Sequence, residues 1–230
     1  MLIPKIIHLT CATTVPPMKY SSFFDRIKLL HPSWEINVWD DENALSVVRE
    51  SFPELENIYV SYTTPIQRAD IFRVLITYLK GGFYMDLDML CFKSLDELCE
   101  YEMVLGIEKT LSQKDCIDHG HEYNVRIANY MFGSKPRHEF WMDFLNAAKR
   151  ISKKTISYEI DVLETTGPGL LTNVYHEMKY RHENITLLAN EERSCLRSCG
   201  PASCHFGDFA AHFHMGSWRW ESIDKKKSGL

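Results

Sequence analysis

The segment Ile66–Lys80 is apolar on nearly every side, with Ala69, Ile71, Phe72, Val74, Leu75, Ile76, Tyr78 and Leu79 spread around one helical circumference. A helix with no face for water must be buried, so the rest of the chain has to wrap it. Its limits are written into the sequence. Thr64 supplies a cap, Pro65 suits the first helical position, Gln67 follows three residues after the cap, and Gly81-Gly82 ends the run. On this rod Asp70, Arg73 and Thr77 form a single polar stripe at i, i+3 and i+7. Buried charges are costly unless paired or turned to a wet cleft. An Asp70–Arg73 ion pair sealing the helix is the purely structural account.

Phe83-Tyr-Met-Asp86-Leu-Asp88-Met-Leu90 follows the glycine stop and reads as a buried strand interrupted by two acids. A period of two sets Asp86 and Asp88 on one face, roughly 6–7 Å apart. At an effective dielectric near 20 such charges repel by about 2–3 kcal/mol. Tyr84, Met85, Leu87 and Met89 give them little polar help, so a cation is called for. Arg73 is one candidate. A divalent metal suits better, because hard carboxylate oxygens match Mg²⁺ or Mn²⁺, completed by water and phosphate.

Around this centre, strand-like and helix-like patterns alternate, which implies an α/β layered domain. Strands are expected at Lys5–Thr10, Trp34–Trp39, Met103–Ile107, Asn129–Gly133, Ile185–Leu188 and Phe209–His214. Helices are expected over Tyr20–Leu30 with Ser21 or Ser22 as cap, from Asp40 or Asp41 through Val48, and over His138–Ile151 and Pro168–Tyr180. Phe140, Trp141, Phe144 and Leu145 read as core. The 230 residues fit a single domain over 1–223, with a basic tail at 224–230. A net charge of −5 argues against coating nucleic acid. No stretch approaches the ~20 apolar residues of a membrane span, and the first residues turn polar too soon for a secretory signal. Seven scattered cysteines cannot all pair and suit a reducing compartment. Cys195, Cys199 and Cys204 with His205 are spaced x3 and x4, which misses the paired zinc knuckle, so this segment reads as a loop of reduced thiols.

In order and spacing, the landmarks resemble the DXD-motif sugar transferases of glycosyltransferase family 32, typified by fungal initiating mannosyltransferases and distantly by the catalytic domains of glucosylating toxins. They are Ile3-Pro-Lys-Ile-Ile-His8, Pro32-Ser-Trp-Glu35, Arg68-Ala-Asp-Ile-Phe-Arg73, Gly81-Gly-Phe-Tyr-Met-Asp-Leu-Asp88, Asn129-Tyr-Met-Phe-Gly-Ser134, Thr166-Gly-Pro168 and His214-Met-Gly-Ser-Trp218. The resemblance implies a GT-A type fold and metal-dependent, retaining transfer of a sugar from a UDP- or GDP-linked donor to an acceptor hydroxyl. It implies Asp70 and Arg73 as donor contacts, Asp86 near the ribose and sugar, Asp88 as the direct metal ligand, and Tyr84 beside the nucleotide. Asn129 would face the transferred sugar, Asp86 would join Asp88 on the metal through water, and His214, as a metal or phosphate ligand, would close with Ser217 and Trp218 over the diphosphate and the Mn²⁺ or Mg²⁺.

With the acids committed to metal and donor, no general base is needed if the departing phosphate oxygen takes the acceptor's proton on the same face; a transient protein nucleophile is the other route left open. The family often carries Trp three residues after the first-strand His, where this chain has Cys11; Tyr62 or Trp39 are the aromatic substitutes for base stacking. His8 is expected to support the sheet. Gly167-Pro168 opens a helix whose amides could face a phosphate or acceptor as readily as make a plain start. Other classes remain: a non-catalytic nucleotide-sugar or carbohydrate binder, and a metal-dependent phosphohydrolase, which would need further acids. The acceptor (a glycan, lipid-linked sugar, protein or small metabolite) is not written in these motifs, and a cytoplasmic enzyme touching a membrane at most through its lysine tail is the expectation.

Overall fold

A computed structural model describes residues 1–190, 195 and 204–215. Its first strand, β1 (Ile6–Thr10), leads through a short 3-10 turn to α1 (Ser21–Leu30), then β2 (Glu35–Trp39), α2 (Asp41–Ser51), α3 (Pro53–Ser61) and α4 (Pro65–Lys80). β3 (Gly82–Met85) and β4 (Met89–Cys91) follow, then β5 (Met103–Thr110), α5 (Gln113–His119), β6 (Val125–Ser134), α6 (Glu139–Ile151), α7 (Glu159–Thr165) and α8 (Pro168–Met178). β7 (Ile185–Leu188), β8 (His205–Phe206) and β9 (Ala210–His212) complete the described chain.

Six strands form a mixed sheet in the order β2-β1-β3-β6-β5-β7. β1 runs parallel to both β2 and β3, and β6 is antiparallel to β3 and to β5. A second sheet, β4-β9-β8, is antiparallel. The α/β architecture expected from the alternating pattern is therefore present. The main sheet separates two cores. Phe72, Tyr84, Phe132, Phe140, Trp141 and Phe144 lie with α4, α6 and α8 on one side. Ile7, Leu9, Phe83, Met85 and Tyr130 lie with α1 and the small sheet on the other. Tyr84 thus points opposite to Phe83 and Met85, as strand alternation requires.

α4 begins and ends where its sequence says. The Thr64 hydroxyl accepts from the Gln67 amide at 3.4 Å, and Gly81 leaves the helix at φ 68°. Asp40 caps α2 by accepting from the Asn43 amide at 2.8 Å.

Several expectations are corrected. α1 takes no cap from Ser21 or Ser22; Tyr20 precedes it, coming out of the 3-10 turn, with no side-chain cap bond. β6 starts at Val125, four residues earlier than expected, because Val125 and Arg126 pair with Thr110 and Lys109 at the end of the long strand β5. The strand expected over Phe209–His214 shrinks to β9, since His214 adopts a left-handed φ of 49°. Most importantly, Phe83–Leu90 is not one strand. The chain turns at Asp86–Asp88, with the Met89 amide bonding the Asp86 carbonyl at 3.1 Å, and passes from the first sheet into the second. The Lys225–Lys227 tail lies outside the described residues.

Candidate functional site

The chain runs from β1 outward to β2 and then crosses back past β1 to β3, so the strand order reverses at β1. In open α/β sheets a crevice forms at the carboxyl ends of strands where the order reverses in this way, and ligands bind there. Thr10 and Asp86 stand at that place. The Thr10 hydroxyl donates to the Tyr84 hydroxyl at 2.9 Å, which in turn donates to Oδ1 of Asp86 at 2.6 Å.

Arg73 approaches the same carboxylate from α4. Its Nη1 lies 3.4 Å from Asp86 Oδ1 and donates to the Asn129 carbonyl at 2.7 Å. Its Nη2 lies 3.1 Å from Asp70 Oδ1, and its guanidinium carbon sits 4.6 Å from the centre of the Tyr84 ring. The ion pair allowed on purely structural grounds is therefore real, and Arg73 extends beyond it to Asp86. Burial disfavours the charge on Arg73, but Asp86, Tyr84, Asp70 and Asp88 outweigh it and hold the guanidinium firmly protonated. Burial pushes Asp70 up to about 6 against the pull of Arg73 and Thr166. Its Oδ1 accepts from the Asn129 side chain at 3.0 Å and its Oδ2 from the Thr166 hydroxyl at 3.0 Å. Asn129 and the start of α8 are thereby tied to α4.

Asp88, 7% exposed, is held from the other sheet. His212 Nε2 lies 3.1 Å from its Oδ1, the Met215 amide donates to its Oδ2 at 2.7 Å, and its carbonyl accepts from the Phe213 amide at 3.0 Å. Burial alone would raise this carboxyl, but the His212 hydrogen bond and charge with the Met215 amide keep it below its ordinary value. His212 is raised in turn, because Asp88, Asp86 and Glu108 overcome its desolvation.

One ligand atom from each of Asp86, Asp88 and His212 lies within 4.8 Å of the others. His212 Nδ1 is buried and has no hydrogen-bond partner among the described residues. Two carboxylates and one imidazole fit a divalent ion of the Mg²⁺ or Mn²⁺ kind.

The structure thus gathers Asp70, Arg73, Tyr84, Asp86, Asp88 and Asn129, all singled out in the sequence. His214 is placed otherwise: it lies with Cys195 and Cys204, and His212 takes the position beside Asp88. Ser217 and Trp218 lie outside the described residues, as does Cys199. Thr10, Thr166 and His212 complete the site without having been expected there. The His212/His214 alternation was the one sequence signal for the last, and it did not say which imidazole turns inward.

His8 supports the sheet, as expected. Its Nε2–H donates to the Gly81 carbonyl at 3.0 Å and its Nδ1 accepts from the Trp39 indole at 3.2 Å. Trp39 pairs in register with Thr10 and the Cys11 amide bonds its carbonyl at 2.9 Å, while its ring packs against His8 and Phe72 with the Lys80 ammonium over it. Tyr62 is buried among Leu55, Ile58, Tyr59 and Ile71. Among the described residues no helix is long and apolar enough to cross a membrane.

Residues 17–105, which include the buried helix and both acids, match the family described as "Glycosyltransferase sugar-binding region containing DXD motif". The mannosyl phosphorylinositol ceramide synthase SUR1 of Saccharomyces cerevisiae is 30% identical over 178 residues, 77% of this chain and 43% of that protein. The synthase CSH1 of the same yeast is 30% identical over 219 residues, 94% of this chain and 53% of that protein. The chain spans about half the length of these curated relatives. Among solved structures, the PaToxG glycosyltransferase superposes with a TM-score of 0.55 at 16% identity, covering 79% of this chain and 72% of that one. The ligand-free glycosyltransferase domain of the YGT toxin does so with a TM-score of 0.51 at 10% identity, covering 81% and 80%. The shared fold is the GT-A type that the motifs imply. By sequence, and with the fold in agreement, residues 17–105 of this chain carry the sugar-binding region of the DXD-motif glycosyltransferases.

Proposed function

We propose that this chain is a retaining, metal-dependent glycosyltransferase that moves a sugar from a UDP- or GDP-linked donor to an acceptor hydroxyl. The observation that carries the reading is the convergence of Asp86, Asp88 and His212 within 4.8 Å, with Arg73 alongside, at the crevice between β1 and β3. Asp86, Asp88 and His212 would hold Mn²⁺ or Mg²⁺. Such an ion supplies Lewis-acid neutralisation of charge on the leaving nucleoside diphosphate.

The chain's own groups do the rest. Arg73 offers a planar donor fork suited to phosphate oxygens. Tyr84 and Thr10 hold Asp86 in one orientation, and Asp70 and Asn129 face the donor sugar from α4 and β6. Ser217 and Trp218 are assigned to the diphosphate by the family resemblance. The acceptor proton goes to the departing phosphate oxygen on the same face, which leaves the anomeric configuration unchanged. Mannose and inositol phosphoceramide are the first sugar and acceptor to examine, since the yeast relatives' names carry both.

A thermal-shift panel of UDP, GDP and their sugars, with and without Mn²⁺, tests the proposal. A genuine donor site gives stabilisation that rises with ligand concentration and depends on metal. Absence of a shift with every nucleotide overturns the reading. Metal-dependent binding without turnover on any hydroxyl acceptor leaves a non-catalytic binder, and release of inorganic phosphate from the nucleotide points to a phosphohydrolase.

A further inference from the structure

Cys195, Cys204 and His214 come from three separate stretches: after β7, immediately before β8, and two residues past β9. One ligand atom from each lies within 4.8 Å of the other two. Neither cysteine is in a disulfide. The hairpin explains how two of them meet. β8 and β9 are antiparallel, with the His212 amide bonding the Cys204 carbonyl at 2.8 Å, so Cys204 and His214 flank the same end of the ribbon.

The backbone there is held in an unusual conformation. Only three non-glycine residues among those described have positive φ, and two are Cys204 at 63° and His214 at 49°. Left-handed backbone at such residues persists where the surroundings over-determine it, as at ligand clamps.

We propose that Cys195, Cys204 and His214 ligate a zinc-class divalent ion, at a centre separate from Asp86 and Asp88, that clamps the β8–β9 hairpin in place beside the acidic turn. The donor set decides the metal class. Thiolates and an imidazole select zinc, whereas Mg²⁺ and Mn²⁺ prefer the carboxylates next door. On binding, each thiol releases its proton to solvent and coordinates as thiolate, with no change of oxidation state. Two thiolates cancel the charge of the ion, so the clamp does not repel a second cation at Asp88.

The clamp would serve the neighbouring site. The His214 ring lies 4.1 Å from that of His212, and His212 and the Met215 amide hold the two oxygens of Asp88. The spacing of the ligands, x8 and then x9, is unlike a paired knuckle because each comes from a different turn of chain.

Metal analysis of the purified full chain, dialysed without nucleotide, tests this independently of sugar transfer. The expected result is one zinc per chain, lost in Cys195→Ser and in Cys204→Ser but kept in Cys116→Ser and in Asp88→Asn. Zinc kept in the cysteine variants and lost in Asp88→Asn would assign the ion to the acidic site and overturn the proposal. So would wild-type zinc far below one per chain, or a pair of thiols that titrate only after reduction. If a serine variant fails to fold, His214→Cys carries the test, since it keeps a ligand at that position. Its cobalt derivative gains thiolate-to-metal charge-transfer intensity over the wild type; an unchanged spectrum overturns the assignment.

Discussion

The backbone amide of Met215 donates to Oδ2 of Asp88 at 2.7 Å across 127 positions of sequence. With His212 on Oδ1, the carboxylate is oriented on both sides before any ligand arrives. Asp88→Asn keeps the shape and can still accept from Met215, but removes the charge. Activity at limiting Mn²⁺ is expected to fall by about 100-fold or more, the scale of losing a preorganised electrostatic partner. The ligand-free melting temperature is expected to move little. Full activity at limiting Mn²⁺ would remove Asp88 from the ion site.

Arg73 touches Asp70, Asp86 and the Asn129 carbonyl at once. Arg73→Lys keeps the charge but not the fork, so kcat/KM for the donor is expected to drop at least about 10-fold. Arg73→Met leaves Asp70 buried without its cation and is expected to cost about 3–5 kcal/mol in denaturant unfolding. Adding Asp70→Asn recovers part of that loss, and a double-mutant cycle measures the coupling. Additive losses would mean that the pair does not act as a unit.

How far the sequence speaks is clear from α4 and Asp88. Cap, proline, apolar girdle and glycine stop are all local signals, so the helix could be read residue by residue. The pairing of Asp70 with Arg73 is also local, one turn apart. The turn at Asp86–Asp88 was hidden, because apolar neighbours suit a strand or a buried turn equally. His212 was hidden for a different reason: its partner is distant in sequence, and only the second sheet brings them together. α3, α5 and α7 are short helices whose patterns are weak, and they escaped notice for that reason.

Burial lowers His8 from its ordinary 6.5 to about 4. Between those values the unfolded chain binds the proton and the folded one does not, so stability is lost as pH falls through the window. Asp70, raised to about 6, acts in the opposite sense, losing stability as pH rises toward that value. Replacing His8 isolates its share. Relative to His8→Gln, the wild type is expected to lose about 2 kcal/mol more on moving from about pH 7.5 to about pH 4.5. Urea midpoints at the two pH values measure it, and parallel losses would show that His8 titrates normally.

Gly82 has φ 93°, and a Cβ there would lie 2.5 Å from the Ile6 carbonyl oxygen on the adjacent strand. Gly82→Ala is expected to destabilise by at least about 2 kcal/mol, since strain and a backbone clash add. Gly120 has φ 66° with nothing within 4 Å of the added carbon, so Gly120→Ala carries only the conformational cost of about 1–2 kcal/mol. Thermal unfolding of the two variants separates steric contact from backbone preference.

Because Asp86 ends one sheet and Met89 begins the other, the acidic turn is also the joint between them. Whatever draws its two carboxylates together pulls on β3 and β4 simultaneously. A pull on β4 is a pull on its partner β9, whose His212 closes the acidic turn, and through β9 on β8.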